Sequence, residues 1–186
     1  MTHLYFPKLS GKLVNLRELS IDDATTIVGL MSHEIAKNLY EVPYPYRIDD
    51  VLYFIKSSYD DFRLRKAITF AIDYKLESFQ LLSGTIGIKD IDYVNKKGNI
   101  GYWIGKQYQD KGIATECIKL VVNYAFDMLE FKEISAYVFP NNNPSIRVLE
   151  KNEFVKTSEV NEYHPLSYRF RNSLIYIRKN KNNKLH

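Results

Sequence analysis

A short turn containing one glycine leads directly into an apolar-periodic helix in the middle of the chain. The turn runs from Gln109 to Ala114, and residues 100–105 before it have the β-branched and aromatic content of a strand. The first N–H groups of a helix have no intrahelical acceptor and carry a partial positive charge, so they attract phosphate. Gly112 lets the backbone approach such an anion closely. This order of elements predicts a site for a nucleotide or a cofactor pyrophosphate.

The turn does not match two well-known phosphate motifs. It does not end in Gly-Lys-Ser/Thr, as a Walker loop does, and it lacks the three glycines of a dinucleotide fingerprint. Gln109-x-x-Gly112-x-Ala114 instead resembles the Gln/Arg-x-x-Gly-x-Gly/Ala signature of the GNAT N-acetyltransferases, which cradles the pyrophosphate of acetyl-CoA.

Further motifs extend this resemblance over about residues 12 to 178 and are similar to the RimJ/RimL-like branch of ribosomal-protein alanine N-acetyltransferases. In chain order they are Leu16-Arg17-Glu18-Leu19, Asp22-Asp23-Ala24, Gly101-Tyr102-Trp103-Ile104, Ala125-Phe126 and Asn142-x-x-Ser145-x-x-Val148-Leu149-Glu150-Lys151-x-x-Phe154.

The resemblance implies which residues hold acetyl-CoA. The turn and the start of the helix would bind the pyrophosphate, while main-chain groups of the preceding strand and the side chain of Asn142 would bind the pantetheine arm. The expected cofactor-binding residues are Trp103, Ile104, Gln109, Lys111, Gly112, Ile113, Ala114, Thr115 and Asn142. An asparagine between Pro140 and Pro144 also fits a purely structural turn role.

Acetyl transfer to an amine needs a donor for the leaving thiolate. The resemblance implies that Ser145 fills this role, while a serine in this place could equally be the N-cap of the helix that follows. Many GNAT enzymes carry a tyrosine donor at the position that Leu149 occupies here.

The transfer also needs the amine to lose a proton. Relatives often carry a glutamate where this chain has Asn99, so Glu162 and His164, in the connection before the last strand, are the candidate bases, besides Asp90 and Asp92. A fraction of a free α-amine, which titrates near ~8, is already neutral. Because Cys117 belongs to an apolar helix stripe, direct transfer is expected over an acyl-cysteine intermediate.

Composition places the chain among ordinary globular proteins. It has 186 residues, of which 45% are hydrophobic and 26% charged, with a net charge of +4 and one cysteine. We expect one domain (1–186) with a core over about 12–178 and a polar tail at 179–186. We further expect a cytoplasmic protein, monomer or homodimer, that uses no metal and binds neither membrane nor nucleic acid.

The periodicity predicts an α/β fold with a mixed, mostly antiparallel central sheet flanked by helices. Helices are expected from about 22, from 49, over 113–128 and over 145–151; strands are expected over 12–19, 67–74, 81–89, 99–104, 133–139, 154–160 and 168–177. The 133–139 strand should lie parallel to the 99–104 strand through a right-handed crossover. The resemblance implies that these two strands splay apart to admit the pantetheine arm.

The leading interpretation is an acetyl-CoA-dependent N-acetyltransferase that acts on a protein N-terminus, ribosomal or other. Two alternatives remain: an acetyltransferase for a small amine such as a polyamine or an antibiotic, and a catalytically silent acyl-CoA-binding module. A deep acidic pocket would favour a polyamine, while an open groove would favour a peptide. Tyr40, Tyr44, Tyr46 and Tyr163 fit two interpretations: ordinary surface and core residues, or the lining of an acceptor groove.

Overall fold

The computed structural model describes residues 5–77, 79–164, 166 and 168–181. Its helices are α1 (Ala24–Leu30), α2 (His33–Ala36), α3 (Ile48–Arg63), α4 (Ile113–Asp127) and α5 (Asn143–Lys151). Its strands are β1 (Leu9–Ser10), β2 (Val14–Glu18), β3 (Ile68–Leu76), β4 (Phe79–Asp92), β5 (Lys97–Ile104), β6 (Glu133–Val138), β7 (Val155–His164) and β8 (Arg169–Lys179). The mixed α/β fold predicted from the sequence is confirmed. No described helix is long and apolar enough to cross a membrane.

The described strands form one sheet in the order β1-β2-β3-β4-β5-β6-β8-β7. The β5–β6 pair is parallel, as predicted, because α4 carries the chain from one strand to the next across one face of the sheet. The remaining neighbouring strands are antiparallel. The central strands are therefore fixed on both edges, except where β5 and β6 part.

Helices cover both faces of the sheet. The apolar stripe of α4, which includes Ile113, Cys117 and Val121, packs with Leu149 of α5 on one face. On the other face, residues of α1, α2 and α3 surround Trp103 of β5. In α3, Val51 and Ile55 are buried, whereas Ile48 and Leu52 are exposed.

Arg17 of β2 joins the sheet to the start of α1. Its guanidinium donates to Asp73 at 2.7 Å and to Asp23 at 2.8 Å, and both carboxylates are buried. The two acids raise the pKa of Arg17, against an opposing effect of burial. Asp23 also closes a capping box with Ser20, which explains why helical structure begins there.

Glu116 lies in the first turn of α4 and holds the chain ahead of β2. Its carboxylate accepts hydrogen bonds from the backbone N–H groups of Lys12, Leu13 and Val14 at 2.8, 2.7 and 3.1 Å. This contact joins residues more than 100 positions apart in the chain and gives Glu116 a structural role. It ties the N-terminal end of α4 to the edge of the sheet.

The last part of the chain differs from the prediction in two respects. β7 continues to His164, so Glu162 and His164 lie in a strand and not in the connection after it. β8 continues to Lys179, so the expected polar tail begins later; residues 182–186 of that tail lie outside the described residues. β7 is longer because it pairs with β8 as far as His164, and β8 is longer because Arg178 and Lys179 pair with β6.

Candidate active site

A slot opens between β5 and β6. Their pairing joins Lys97 to Glu133 and ends at Asn99 and Ser135, so the remaining residues of β5 have no ladder partner on the β6 side. A cleft of about 1640 Å³ follows this slot and reaches Gly112, Ser145 and Glu162. The predicted divergence of the two strands is confirmed. Unpaired backbone groups at such an edge can bind an extended, amide-containing ligand.

The turn before α4 has the geometry of an anion cradle. Gly112 is the N-cap with a φ of 79°, in the left-handed region that glycine adopts without a steric penalty. The first bond of the helix runs from the Glu116 N–H to the Gly112 carbonyl, which leaves the N–H groups of Ile113, Ala114 and Thr115 without intrahelical acceptors. All three residues line the cleft, so these residues fit a pyrophosphate.

Gln109 and Lys111 shape this turn in different ways. The Gln109 side chain donates from Nε2 to the Ile104 carbonyl at 2.9 Å, which closes the loop onto the end of β5. Lys111 lies outside the cleft lining, and its ammonium group is 5.7 Å from the ring centre of Tyr74 and 5.8 Å from that of Tyr108. Lys111 can therefore contribute long-range positive charge without lining the cleft.

Asn142 is the N-cap of α5, and Ser145 is not. The Asn142 side-chain oxygen accepts from the Ser145 backbone N–H at 3.3 Å, and the helix begins at Asn143, two residues earlier than predicted. Pro144 fits in the first turn because it needs no hydrogen-bond donor there. The capping alternative for Ser145 is therefore wrong. The Ser145 hydroxyl does not cap the helix, and both Asn142 and Ser145 line the cleft.

Tyr102 of β5 meets Ser145 across the wall of the cleft. Their hydroxyl oxygens are 2.8 Å apart, and burial raises the pKa of Tyr102 to about 12, although the Ser145 hydrogen bond partly opposes that rise. Sequence reasoning did not assign Tyr102 to catalysis. The available signal was strand alternation, which puts Tyr102 on the same face as Ile100 and Ile104, beneath α4 and α5.

Glu162 lies in the cleft wall opposite α5. The Tyr40 hydroxyl donates to its carboxylate at 3.4 Å, and burial followed by the Glu162 charge raises the pKa of Tyr40. Arg171 of β8 lies opposite Glu162 of β7 in the strand register. Its guanidinium stacks 3.5 Å from the ring centre of Phe139. Glu162 thus combines a position in the cleft with a contact to the loop after α2.

His164 is buried, with 4% of its surface exposed, and it is absent from the cleft lining. Its Nε2 is 3.4 Å from the Leu39 carbonyl oxygen, and its ring packs against Tyr40 at 4.7 Å between ring centres. The predicted position in the connection before the last strand is wrong, because the histidine ends β7 and packs under the loop after α2. The structure brings Glu162 to the cleft but separates His164 from it.

The remaining polar, aromatic and core positions noted in the sequence differ in whether they line the cleft. Asn99 donates to Asp90 at 2.9 Å, and both line the cleft, whereas Asp92 accepts hydrogen bonds within its own turn. Leu149 is a core residue with 1% exposure. Among the tyrosines, Tyr40 lines the cleft, while Tyr46 is buried and Tyr163 is exposed outside it.

Cys117 and Glu153 also have clear environments. Cys117 is fully buried, and burial raises the pKa of its thiol far above the ordinary range, which makes it a poor nucleophile. Glu153 has a φ of 62°, in the left-handed region that is uncommon for a residue with a side chain. Within the described residues, no group of three or more His, Cys, Asp or Glu side chains is placed to hold a metal ion.

Residues 14–155 match the family model of the acetyltransferase (GNAT) domain. The chain belongs to the GNAT acetyltransferase family. It is 34% identical over 155 residues to the probable N-acetyltransferase YjcK of Bacillus subtilis. The aligned region covers 80% of this chain and 83% of YjcK. The chain is therefore an N-acetyltransferase of the GNAT type.

Two further similarities are to a second sequence relative and to a solved structure. The putative ribosomal N-acetyltransferase YdaF of Bacillus subtilis is 33% identical over 81 residues, covering 44% of each protein. This chain also superposes on the crystal structure of the microcin C7 self-immunity acetyltransferase MccE in complex with acetyl-CoA and AMP, with a TM-score of 0.81. The superposition covers 91% of this chain and 94% of that protein, and the two sequences are 22% identical. At this identity the superposition shows that the GNAT fold is shared.

Proposed function

We propose that this GNAT enzyme transfers an acetyl group from acetyl-CoA directly to the α-amine of a protein N-terminus, as the RimJ/RimL-like enzymes do. The observation that carries the choice of acceptor is the mixed charge of the cleft. Among the described residues that line it, six are lysine or arginine and five are aspartate or glutamate. A polyamine carries several positive charges and would be favoured by a predominantly acidic pocket, whereas a peptide needs to present one amine.

The turn at Gly112 and the slot beyond Asn99 fit the two ends of acetyl-CoA. The N–H groups of Ile113, Ala114 and Thr115 would bind the pyrophosphate, and the unpaired edge of β5 at Trp103 and Ile104 would bind the pantetheine amides. Acetyl-CoA supplies the activated thioester. Asn142 would contribute its side-chain amide to the pantetheine arm while its oxygen caps α5.

Ser145 is the proposed donor to the leaving thiolate. If Tyr102 donates its proton to the Ser145 oxygen, the Ser145 O–H is left to point elsewhere, and the cleft is the open direction. Tyr102 keeps its proton at neutral pH because its pKa lies near 12. Ser145 would then act as an oriented hydrogen-bond donor, which suits its weak acidity.

The partial identity with YdaF supports a ribosomal protein as acceptor, and the Asn142-x-x-Ser145 motif supports the RimJ/RimL-like branch. Direct transfer is supported by the burial of Cys117, which removes the obvious acyl carrier from the cleft. Glu162 is a candidate for taking the proton of the amine, while the buried position of His164 does not support that role.

Two variants of Gly112 test the cofactor site. Aspartate and asparagine have the same size and both tolerate left-handed backbone, so they differ in one charge. We expect calorimetric titration to give tight acetyl-CoA binding for the native protein, a moderate loss for Gly112→Asn and a much larger loss for Gly112→Asp. Equal affinities of the two variants would contradict a pyrophosphate at this turn.

A panel of amines tests the acceptor. Thiol release from acetyl-CoA is measured with ribosomal-protein N-terminal peptides, with the same peptides blocked at the α-amine, and with spermidine. We expect turnover with free peptides and its loss on blocking. Turnover with spermidine and none with peptides would overturn the peptide proposal in favour of a small amine, and binding without turnover would favour a silent acyl-CoA-binding module.

A further inference from the structure

β4 contains a bulge at the point where the slot begins on the neighbouring strand. Lys89 pairs with Asn99, but the next pair joins Asp92 to Lys97, so Asp90 and Ile91 together lie opposite one residue of β5. Asp90 has a φ of 52°, which is left-handed and uncommon for a residue with a side chain. The extra residue changes which face of the sheet Asp90 occupies.

Strand alternation shows the effect of the bulge. Ile86 and Ile88 lie in the core beneath α4, so regular alternation would turn Asp90 toward the same core. Ile91 packs against that core instead, while the Asp90 side chain contacts Asn99 on the opposite face of the sheet. The bulge thus places a carboxylate where an unbroken strand would leave none.

Asn99 holds this carboxylate in place. Its Nδ2 donates to Asp90 Oδ2 at 2.9 Å, and both residues line the cleft. Within the described part of the chain, Asp90 Oδ1 accepts no hydrogen bond, so it remains available to a ligand. Asn99 itself is neutral and cannot pair with a cation as a carboxylate does.

Asp90 also lies beside the expected path of the acceptor. Asn99 is the last residue of β5 that pairs with β6, so the slot opens directly after it. Tyr137 of β6 lies on the same face, since it alternates with the buried Ala136 and Val138. Tyr137, Glu162 and Asp90 all line the cleft; burial raises the pKa of Tyr137, and the charges of Glu162 and Asp90 raise it further.

Ser145 and Tyr102 occupy the other face of β5, under α4 and α5. A thioester in the slot would therefore have the donor for its thiolate on one face and the Asp90 carboxylate on the other. An amine approaching from the Asp90 face would meet the carbonyl carbon from the side away from Ser145.

We propose that Asp90, presented by the bulge and fixed by Asn99, is the carboxylate that binds the ammonium group of the acceptor. This inference rests on the proposed function and names the acceptor-binding residue of the same site. Asp90 contacts the substrate, and Asn99 is a positioning residue that acts through it. The acceptor class that follows is a primary ammonium group, and the rest of the acceptor lies toward Tyr137 and Glu162.

The test compares Asp90→Asn with the exchanged pair Asp90→Asn/Asn99→Asp. Asparagine tolerates the left-handed backbone, so the first variant removes the charge with little strain, and the double variant returns a carboxylate to the same contact. Glu77→Gln is the matched control because it removes an exposed carboxylate at another left-handed position, φ 49°, outside the cleft lining. Thermal unfolding of each variant checks that it is folded.

We expect Asp90→Asn to raise the KM for the amine by about 10- to 100-fold, the range for losing a charge-assisted hydrogen bond. The Kd for acetyl-CoA should remain unchanged, the exchanged pair should recover most of the amine KM, and Glu77→Gln should match the native enzyme. An amine KM within about twofold of native for folded Asp90→Asn, or an equal loss in acetyl-CoA affinity, would overturn the inference.

Measurements on the native enzyme with peptides and with spermidine distinguish a failure of this inference from a failure of the proposed function. If spermidine is acetylated and peptides are not, the proposed peptide acceptor is wrong, and the Asp90 variants are measured with spermidine. If folded native protein binds acetyl-CoA but acetylates no amine in the panel, both the proposed function and the role of Asp90 are overturned.

Discussion

The hydroxyl groups of Tyr102 and Ser145 are 2.8 Å apart and join the middle of β5 to the first turn of α5. The contact connects a strand residue to a helix residue 43 positions later in the chain. It exists because Asn142 caps α5 and thereby leaves the Ser145 side chain available.

Removing the Tyr102 hydroxyl should impair the orientation of Ser145. We expect Tyr102→Phe to lower kcat by about tenfold, as the loss of one orienting hydrogen bond of roughly 1.4 kcal/mol would, with little change in the KM for acetyl-CoA. Ser145→Ala should lower kcat at least as much. Steady-state kinetics of both variants and their double variant measure the coupling. A full, independent tenfold loss from Tyr102→Phe in the Ser145→Ala background would show that Tyr102 does not act through Ser145.

Loss of the Arg17 guanidinium should destabilise the fold. Arg17→Gln leaves Asp23 and Asp73, each 7% exposed, without their cation. We expect a loss of about 3 kcal/mol in the free energy of unfolding, at the low end for a broken buried pair because part of Arg17 is exposed. Urea unfolding measures it. The control is Arg63→Gln, since the Arg63–Asp60 pair is on the surface and should change stability little.

Alkaline pH should weaken the fold through two tyrosines. Burial raises the pKa of both Tyr46 and Tyr102 to about 12, and the Asp50 charge adds to the effect at Tyr46. A raised pKa in the folded state means that this stabilisation is fully present below about pH 10, the pKa in the unfolded chain, and is lost as pH rises toward 12.

We therefore expect the urea midpoint to fall between about pH 10 and 12, and to fall less steeply in Tyr46→Phe. Ultraviolet titration of the tyrosinates in the native state checks the assignment. Tyr53→Phe is the control because Tyr53 is 75% exposed. An unchanged slope in Tyr46→Phe would mean that Tyr46 does not contribute.

The cysteine should be dispensable for transfer. Cys117 is fully buried in the core, and its thiol pKa is raised by burial and then by Glu116. We expect native protein to resist iodoacetamide and Cys117→Ala to keep the native kcat, while losing about 1 kcal/mol of stability through the small cavity. Mass spectrometry after mixing with acetyl-CoA provides the second readout: an acetylated Cys117 would contradict direct transfer.

The sequence by itself determined those helices, strands and turns whose residue pattern is set by near neighbours in the chain. The glycine before α4, the apolar stripe of that helix and the alternation of β5 each depend on neighbouring residues, so the strand-turn-helix unit and the parallel β6 could be predicted. The GNAT family followed from motifs of the same kind, and residues 14–155 match its model.

Tertiary structure decided which side chains meet. The partner of Ser145 is Tyr102, the carboxylate near Asn99 is Asp90, and Glu116 binds the backbone more than 100 residues before it. None of these contacts follows from periodicity, because each depends on the register of two separate elements or on one extra residue in a strand. His164 shows the same limit: its burial comes from the loop after α2 packing over the end of β7, a contact between segments distant in the chain.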